Sequence, residues 1–282
     1  MPFWISIACL SAFQGLLVAL PVPLDHPLLR RLRAGGWALV LPVSIVAFVL
    51  IARGAEQASA HGLTYLALVA VPPLAALALA GLARGGRPRA SLLAAALFGL
   101  AWADRGGLAG DGAATVLSGL SCVALGSLLG AITPRRWLAL GIVAMALADT
   151  ALVVSDLLQA PNDALNAARP AAGLPRLQSE TFGSAVMGYG DLFVAAVLGG
   201  LLAASDEAQR PAAALAAILA IGFDLLFFAV HELPATVPVA MAMIVVLAPG
   251  RKRVRSRYGR TATETGCPKY EDSRKGLTGP SP

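Results

Sequence analysis

The sequence predicts an all-α membrane protein: a polytopic helix bundle of about nine transmembrane helices. Three observations predict it. Hydrophobic residues make up 57% of the chain and charged ones only 13%. The apolar residues fall in continuous Ala/Leu-rich runs, and short charged breaks separate those runs. A water-soluble chain of 282 residues could not hide this much apolar surface in one core. A spanning helix needs about 20 mostly apolar residues, which is the length scale of the runs. Barrel strands would instead alternate apolar and polar over about ten residues, a pattern the runs lack.

Taken in order, the first run is 3–22. No Lys or Arg precedes it, so it reads as a retained span and not as a signal peptide, whose start normally carries positive charge. The run at 37–53 follows a cluster of arginines, and that at 63–83 contains Pro72-Pro73 and stops at Arg84. A shorter run, 90–104, closes on Asp104-Arg105; then come 113–132 and 137–159, divided by Arg135-Arg136. After a polar stretch broken by Pro161, Pro170 and Pro175, the last runs are 183–204, 211–230 and 233–249. His231 and Glu232 form the short link between the final two and read as solvated loop. Residues 1–250 thus form a transmembrane domain, with the half that carries the chemistry at about 137–249. Residues 251–282 are polar, charged and rich in Gly, Ser, Thr and Pro, and are expected to be a disordered basic cytoplasmic tail.

The net charge of +6 does not indicate a nucleic-acid partner, because the basic residues sit in short loops beside spans. Their distribution sets an orientation. Odd-numbered connections carry Arg30, Arg31, Arg33, Arg84, Arg87, Arg89, Arg135, Arg136 and Arg210, and the tail begins with Arg251, Lys252, Arg253, Arg255, Arg257 and Arg260. Even-numbered connections carry only Arg53, Arg105, Arg169 and Arg176. The odd connections and the C-terminus are therefore expected in the cytoplasm and the N-terminus outside, which an odd number of spans requires. Of the three cysteines, Cys9 and Cys122 lie in apolar runs and Cys267 in the tail, without the spacing of a zinc site or a disulfide framework.

Ionisable residues inside spans carry the functional information, since a carboxylate at the bilayer centre costs about 2.5 to 3.5 kcal/mol on insertion scales. Asp149 in the sixth run, Asp191 in the seventh and Asp224 in the eighth qualify; Asp104 and Asp156 lie nearer run ends. Asp149 lies ten residues before Gln159 and Asp191 eight after Gly183. At 1.5 Å per residue these are depths of about 15 and 12 Å, so the two carboxyls should share a level. Two close carboxyls in a low-dielectric site share a proton, which makes an acid/base pair able to activate water and protonate a carbonyl oxygen with no metal or cofactor. From spacing alone, each Asp could equally satisfy a polar contact or line an ion path. Gly188 and Gly190, flanking Tyr189 ahead of Asp191, leave backbone uncovered for a close neighbour or an extended substrate.

Asp149 in one span, Gly188-Tyr189-Gly190-Asp191 in the next and Leu233-Pro234-Ala235 opening the ninth resemble the presenilin and signal peptide peptidase family of intramembrane aspartyl proteases. The resemblance covers about residues 137–245 and rests on order, span number and depth together. It implies a presenilin-like arrangement, Asp149 and Asp191 as the catalytic dyad, and substrate binding by Gly188, Tyr189, Gly190, Leu233, Pro234 and Ala235. The family usually has Tyr before its first aspartate and Leu third in the final motif, where this chain has Ala148 and Thr236. The charge bias makes the chain similar to the signal peptide peptidase branch, which implies type II or signal-peptide-like transmembrane substrates.

Other readings use nearly the same string. Prepilin peptidases also carry GxGD, but with a following Lys where this chain has Leu192-Phe193, and with more spans between their aspartates. Potassium-channel filters read Thr-Val-Gly-Tyr-Gly, whereas here Val186-Met187 precede Gly188 and Asp191 leads into an apolar helix. A proton-coupled transporter would also use intramembrane carboxylates, Asp224 among them, although no internal repeat supports it.

Overall fold

The computed structural model describes residues 1–44, 46–47, 56–155, 174–228, 230 and 233–248. Asp156, Arg169, His231, Glu232 and the whole of 251–282 lie outside the described residues, as do the expectations attached to them.

Each apolar run contains a helix, as continuous Ala- and Leu-rich segments favour. In chain order these are α1 (Phe3–Ala19), α2 (Gly35–Ser44), α3 (Glu56–Leu77, prolonged by a wider turn over Ala78–Leu82), α4 (Leu92–Ala103), α5 (Leu108–Ile132), α6 (Arg135–Val154), α7 (Tyr189–Leu202), α8 (Asp206–Asp224) and α9 (Thr236–Leu247). Among the described residues, four segments are long and apolar enough to cross a membrane: Thr64–Leu82, Leu108–Ile132, Arg135–Val154 and Asp206–Phe228. The remaining helices are apolar but shorter, at 10–17 residues.

The seventh run departs from expectation. Its first residues are not helical: β1 (Ser179–Phe182) and β2 (Ala185–Gly188) form an antiparallel hairpin that pairs Glu180 with Met187. The physical reason is the turn. Gly183 adopts φ +62, a left-handed conformation that glycine reaches at little cost, and Gly183-Ser184 make the two-residue connection that suits a hairpin. The helix then starts at Tyr189, six residues later than the apolar pattern indicates.

Backbone contacts fix which connections share an end. Arg84 N–H donates to the Leu20 carbonyl at 2.7 Å, Val22 N–H to Leu82 at 3.3 Å and Ala34 N–H to Ile132 at 2.9 Å. The Arg84 guanidinium pairs with Asp206 at 2.9 Å. The α1–α2, α3–α4, α5–α6 and α7–α8 connections therefore meet at one end, and Arg84, Arg87, Arg135 and Arg136 with them. At the other end, Ser184 bonds Ser6 and the Met1 carbonyl, and Phe3 and Trp4 pack on Phe227 and Phe228.

Helix α7 is the axis of the bundle. It is apolar on all sides, and Leu192 to Gly199 are continuously buried, the signature of a helix surrounded by others. It packs against α1, α5, α6, α8 and α9. Its crossing with α5 runs through small residues: a methyl group on Gly126 would collide with the Ala196 carbonyl, and one on Gly200 with the Gly126 carbonyl. Gly126, Gly130, Ala196 and Gly200 thus place the two backbones in contact, a small-residue spacing typical of close helix pairs. Outward-facing residues stay apolar, as with Leu66, Val69, Leu92, Leu147, Ile218 and Phe228. So large an exposed apolar surface is uncommon on water-soluble proteins.

Candidate functional site

The two aspartates of interest arrive from α6 and α7, which pack against each other near the end of the bundle that holds the N-terminus. Asp149 lies one turn beyond Met145, whose methyl group sits beside Gly190. Thr236 bonds Asp149 while Gln14 bonds the backbone carbonyls of both Ala235 and Asp191, so neighbouring residues 235 and 236 reach the two aspartates. The two carboxyls therefore share a level, but closer to their helix ends than the run boundaries imply. Helix α6 ends at Val154, five residues after Asp149, and α7 starts two residues before Asp191. Hydropathy marks where apolar residues are, and the hairpin is apolar without being helical.

Each carboxyl has a distinct partner. Asp149 is 6% exposed, and its Oδ2 accepts the Thr236 hydroxyl at 2.6 Å. Thr236 is the first residue of α9 and is fully buried. Asp191 is the third residue of α7, and its Oδ2 accepts the Gly188 N–H at 3.2 Å, so it closes back on the residue that opens its own helix.

The expected substrate-binding residues separate into two groups. Gly188 ends β2 and supports Asp191, and Ala235 is drawn to the same place because its carbonyl accepts from Gln14 at 3.0 Å. Leu233, Pro234 and Ala235 precede the helix and do not belong to it; the Pro234 carbonyl takes the Val237 N–H at 3.1 Å. Tyr189 turns away, its hydroxyl 2.8 Å from Ser121 Oγ on α5. Gly190 faces Met145.

Sequence reasoning missed Gln14 and Glu180. Gln14, 1% exposed on α1, donates from Nε2 both to the Asp191 carbonyl at 3.2 Å and to the Ala235 carbonyl at 3.0 Å. It joins α1, α7 and the lead-in to α9 through one amide. A glutamine inside an apolar run is a signal in its own right, because its amide must find partners there. Glu180 on β1 is 1% exposed, and neither carboxyl oxygen has a hydrogen-bond partner. The adjacent Ser118 hydroxyl is committed to the Leu177 carbonyl at 3.1 Å. Burial pushes the Glu180 carboxyl well above the ordinary carboxylate range, and the charge of Asp191 pushes the same way. The Gly183-Ser184 turn between short runs with Thr, Phe and Val is the signal that would have located its strand.

The other carboxylates have structural partners. Asp224 accepts the Ser11 hydroxyl at 2.7 Å across the α1–α8 contact, and Asp104 accepts the Gly110 N–H at 2.9 Å at the start of α5. Among the described residues no group of three or more His, Cys, Asp or Glu is placed to hold a metal ion. Chemically, the contacting helices α6 and α7 each contribute one carboxyl group, and the two differ in their hydrogen bonding; a carboxyl pair of this kind is suited to proton exchange with a bound water. Comparison of the chain with protein-family models, curated proteins and solved structures finds no match.

Proposed function

We propose that the chain is an intramembrane aspartyl protease of presenilin-like arrangement, with nine spans, its N-terminus outside and its C-terminus in the cytoplasm. Its substrates are transmembrane segments of the type II or signal-peptide-like class, hydrolysed by Asp149 and Asp191. The observation that carries this reading is that Asp149 and Asp191 come from contacting helices, α6 and α7, and are both tied to the start of α9 and its lead-in, the first through Thr236 and the second through Gln14.

One carboxylate takes a proton from water as the water attacks the scissile carbonyl, and the other, protonated, donates to the carbonyl oxygen. The approach of substrate is supported by the hairpin. Among the described residues strand β2 pairs only with β1, and it ends at Gly188, three residues before Asp191. An extended substrate segment that adds to its outer edge has its backbone held beside the carboxyls, and a peptide bond must be extended to be attacked. The gathering of arginines at one end of the bundle supports the orientation, because positive charge is retained on the cytoplasmic side.

The test is cleavage of a panel of type II membrane substrates by the purified full-length protein in lipid, with Asp149→Asn and Asp191→Asn alongside. Loss of cleavage in both variants at normal folded yield upholds the reading. Inert wild type across the panel, or variants that cut as wild type does, overturns it.

A further inference from the structure

The two carboxyls differ in one respect that bears on which of them does what. Asp149 receives an O–H donor from another helix at 2.6 Å, a short hydrogen bond of the kind that favours the ionised form of a carboxyl. The Thr236 backbone N–H faces the same carboxyl, so both donors at the start of α9 converge on it. Asp191 has one backbone donor, at 3.2 Å, toward the long end of N–H···O bonds. Thr236 is 0% exposed, so its hydroxyl has no water to turn to and is fixed on Asp149.

We propose that Thr236 is a positioning residue that divides labour within the pair: its hydroxyl holds Asp149 as the water-activating base and leaves Asp191 to carry the proton. The proposal rests on the protease reading and deepens it. At the start, Asp149 is ionised and Asp191 protonated. Water gives its proton to Asp149 as its oxygen bonds to the scissile carbon, and Asp191 gives its proton to the carbonyl oxygen, which yields a gem-diol. In the second half Asp191 takes back a proton from one diol hydroxyl as the C–N bond breaks. The leaving nitrogen takes the proton held by Asp149, and both carboxyls return to their starting states.

Among the described residues, helices α1 and α8, packed on α7, carry Cys9 and Asp224, with Asp206, Glu207 and Arg210 in the first turns of α8. Of the elements packed on α6, α9 and α2 carry no titratable side chain. Helix α7 contributes Asp191 and Tyr189, the latter bonded to Ser121, and α5 carries Asp111 and Cys122. Glu180 on β1 acts on Asp191.

The test compares wild type, Thr236→Val, which keeps the shape and loses the donor, and Thr236→Ser, which keeps the donor, all full-length in proteoliposomes. Loss of a hydrogen bond to an ionised carboxylate is expected to move the acidic limb of the kcat/KM profile up by about one pH unit in Thr236→Val. It should also lower kcat about tenfold with KM within about twofold, and Thr236→Ser should restore both. A Thr236→Val profile that superimposes on wild type, or a failure of Thr236→Ser to restore it, overturns the proposal. A second readout needs no activity: the infrared carbonyl band assigned to Asp149 by its absence in Asp149→Asn. Its titration should move to higher pH in Thr236→Val; an unchanged titration overturns the proposal whatever the enzyme cleaves. Inert wild type with the expected infrared shift instead overturns the protease reading alone.

Discussion

The Gln14 side chain donates to the backbone carbonyl of Asp191 at 3.2 Å, so the first helix of the chain holds the opening turn of the seventh. The same nitrogen reaches the Ala235 carbonyl, and both bonds are part-buried. Gln14→Leu preserves volume and removes both bonds. Each stranded carbonyl costs about 1–3 kcal/mol, so a lower thermal unfolding midpoint in detergent is expected, together with loss of cleavage. An unchanged midpoint would show that α1 is not what holds this corner.

The α5–α7 crossing leaves no space for a side chain. Gly200→Ala puts a methyl group into the Gly126 carbonyl, and overpacking of this kind costs about 1–3 kcal/mol. Gly222 on α8 is a control, with open space where its Cβ would be. Gly222→Ala should be neutral or stabilising by up to about 1 kcal/mol, the ordinary gain in helix propensity. Folded yield and unfolding midpoint of the two variants, measured side by side, check the contrast.

Glu180 makes the hairpin sensitive to pH. Its folded-state carboxyl titrates above its unfolded value, so its contribution to stability is complete below the ordinary glutamate range and is lost as pH rises toward the raised value. Amide exchange across 179–188, corrected for intrinsic rates, should therefore show falling protection with rising pH in wild type. Glu180→Gln, which cannot ionise, should flatten that dependence. A wild-type profile already flat would remove Glu180 from the account.

Asp224 separates the protease from a carrier. In Asp224→Asn the amide oxygen can still accept the Ser11 hydroxyl, so folding is retained and cleavage should stay within about threefold of wild type. A proton-coupled transporter that used Asp224 would instead lose uptake altogether. Ser11→Ala, which strands Asp224, should cost about 1 kcal/mol in unfolding free energy.

Hydropathy located a helix in every run, because a helix apolar enough to leave water announces itself over some 20 residues. Order and level in the sequence also set Asp149 and Asp191 on neighbouring segments, and the helices that carry them, α6 and α7, are in contact. The start of α7 was not: Gly183 to Gly188 are as apolar as a span, and only the positive φ of Gly183 turns them into a hairpin. Gln14 and Glu180 were hidden for a different reason: the carbonyls that Gln14 bonds lie far along the chain, and Glu180 is buried by the packing of β1 on α5, distant in sequence. Thr236 stood in the sequence as a departure from a family pattern; its meaning lies in the 2.6 Å contact with a residue 87 positions away.

In the proposed nine-span arrangement, a hairpin in place of the first turns of the seventh span shortens the helix that remains. Helix α7 has 14 residues, about 21 Å, against a hydrocarbon layer of about 30 Å. An unpaired strand edge cannot face acyl chains, so lipid must withdraw from the hairpin and let the aqueous phase descend toward Asp191. Helix α7 is itself enclosed by other helices, so in that arrangement the mismatch falls on the lipid beside the hairpin, at a cost that grows with every ångström. Acyl-chain length then becomes a control on the proposed protease: short-chain lipids ease the approach of water to its carboxyls, and long-chain and sterol-rich ones resist it.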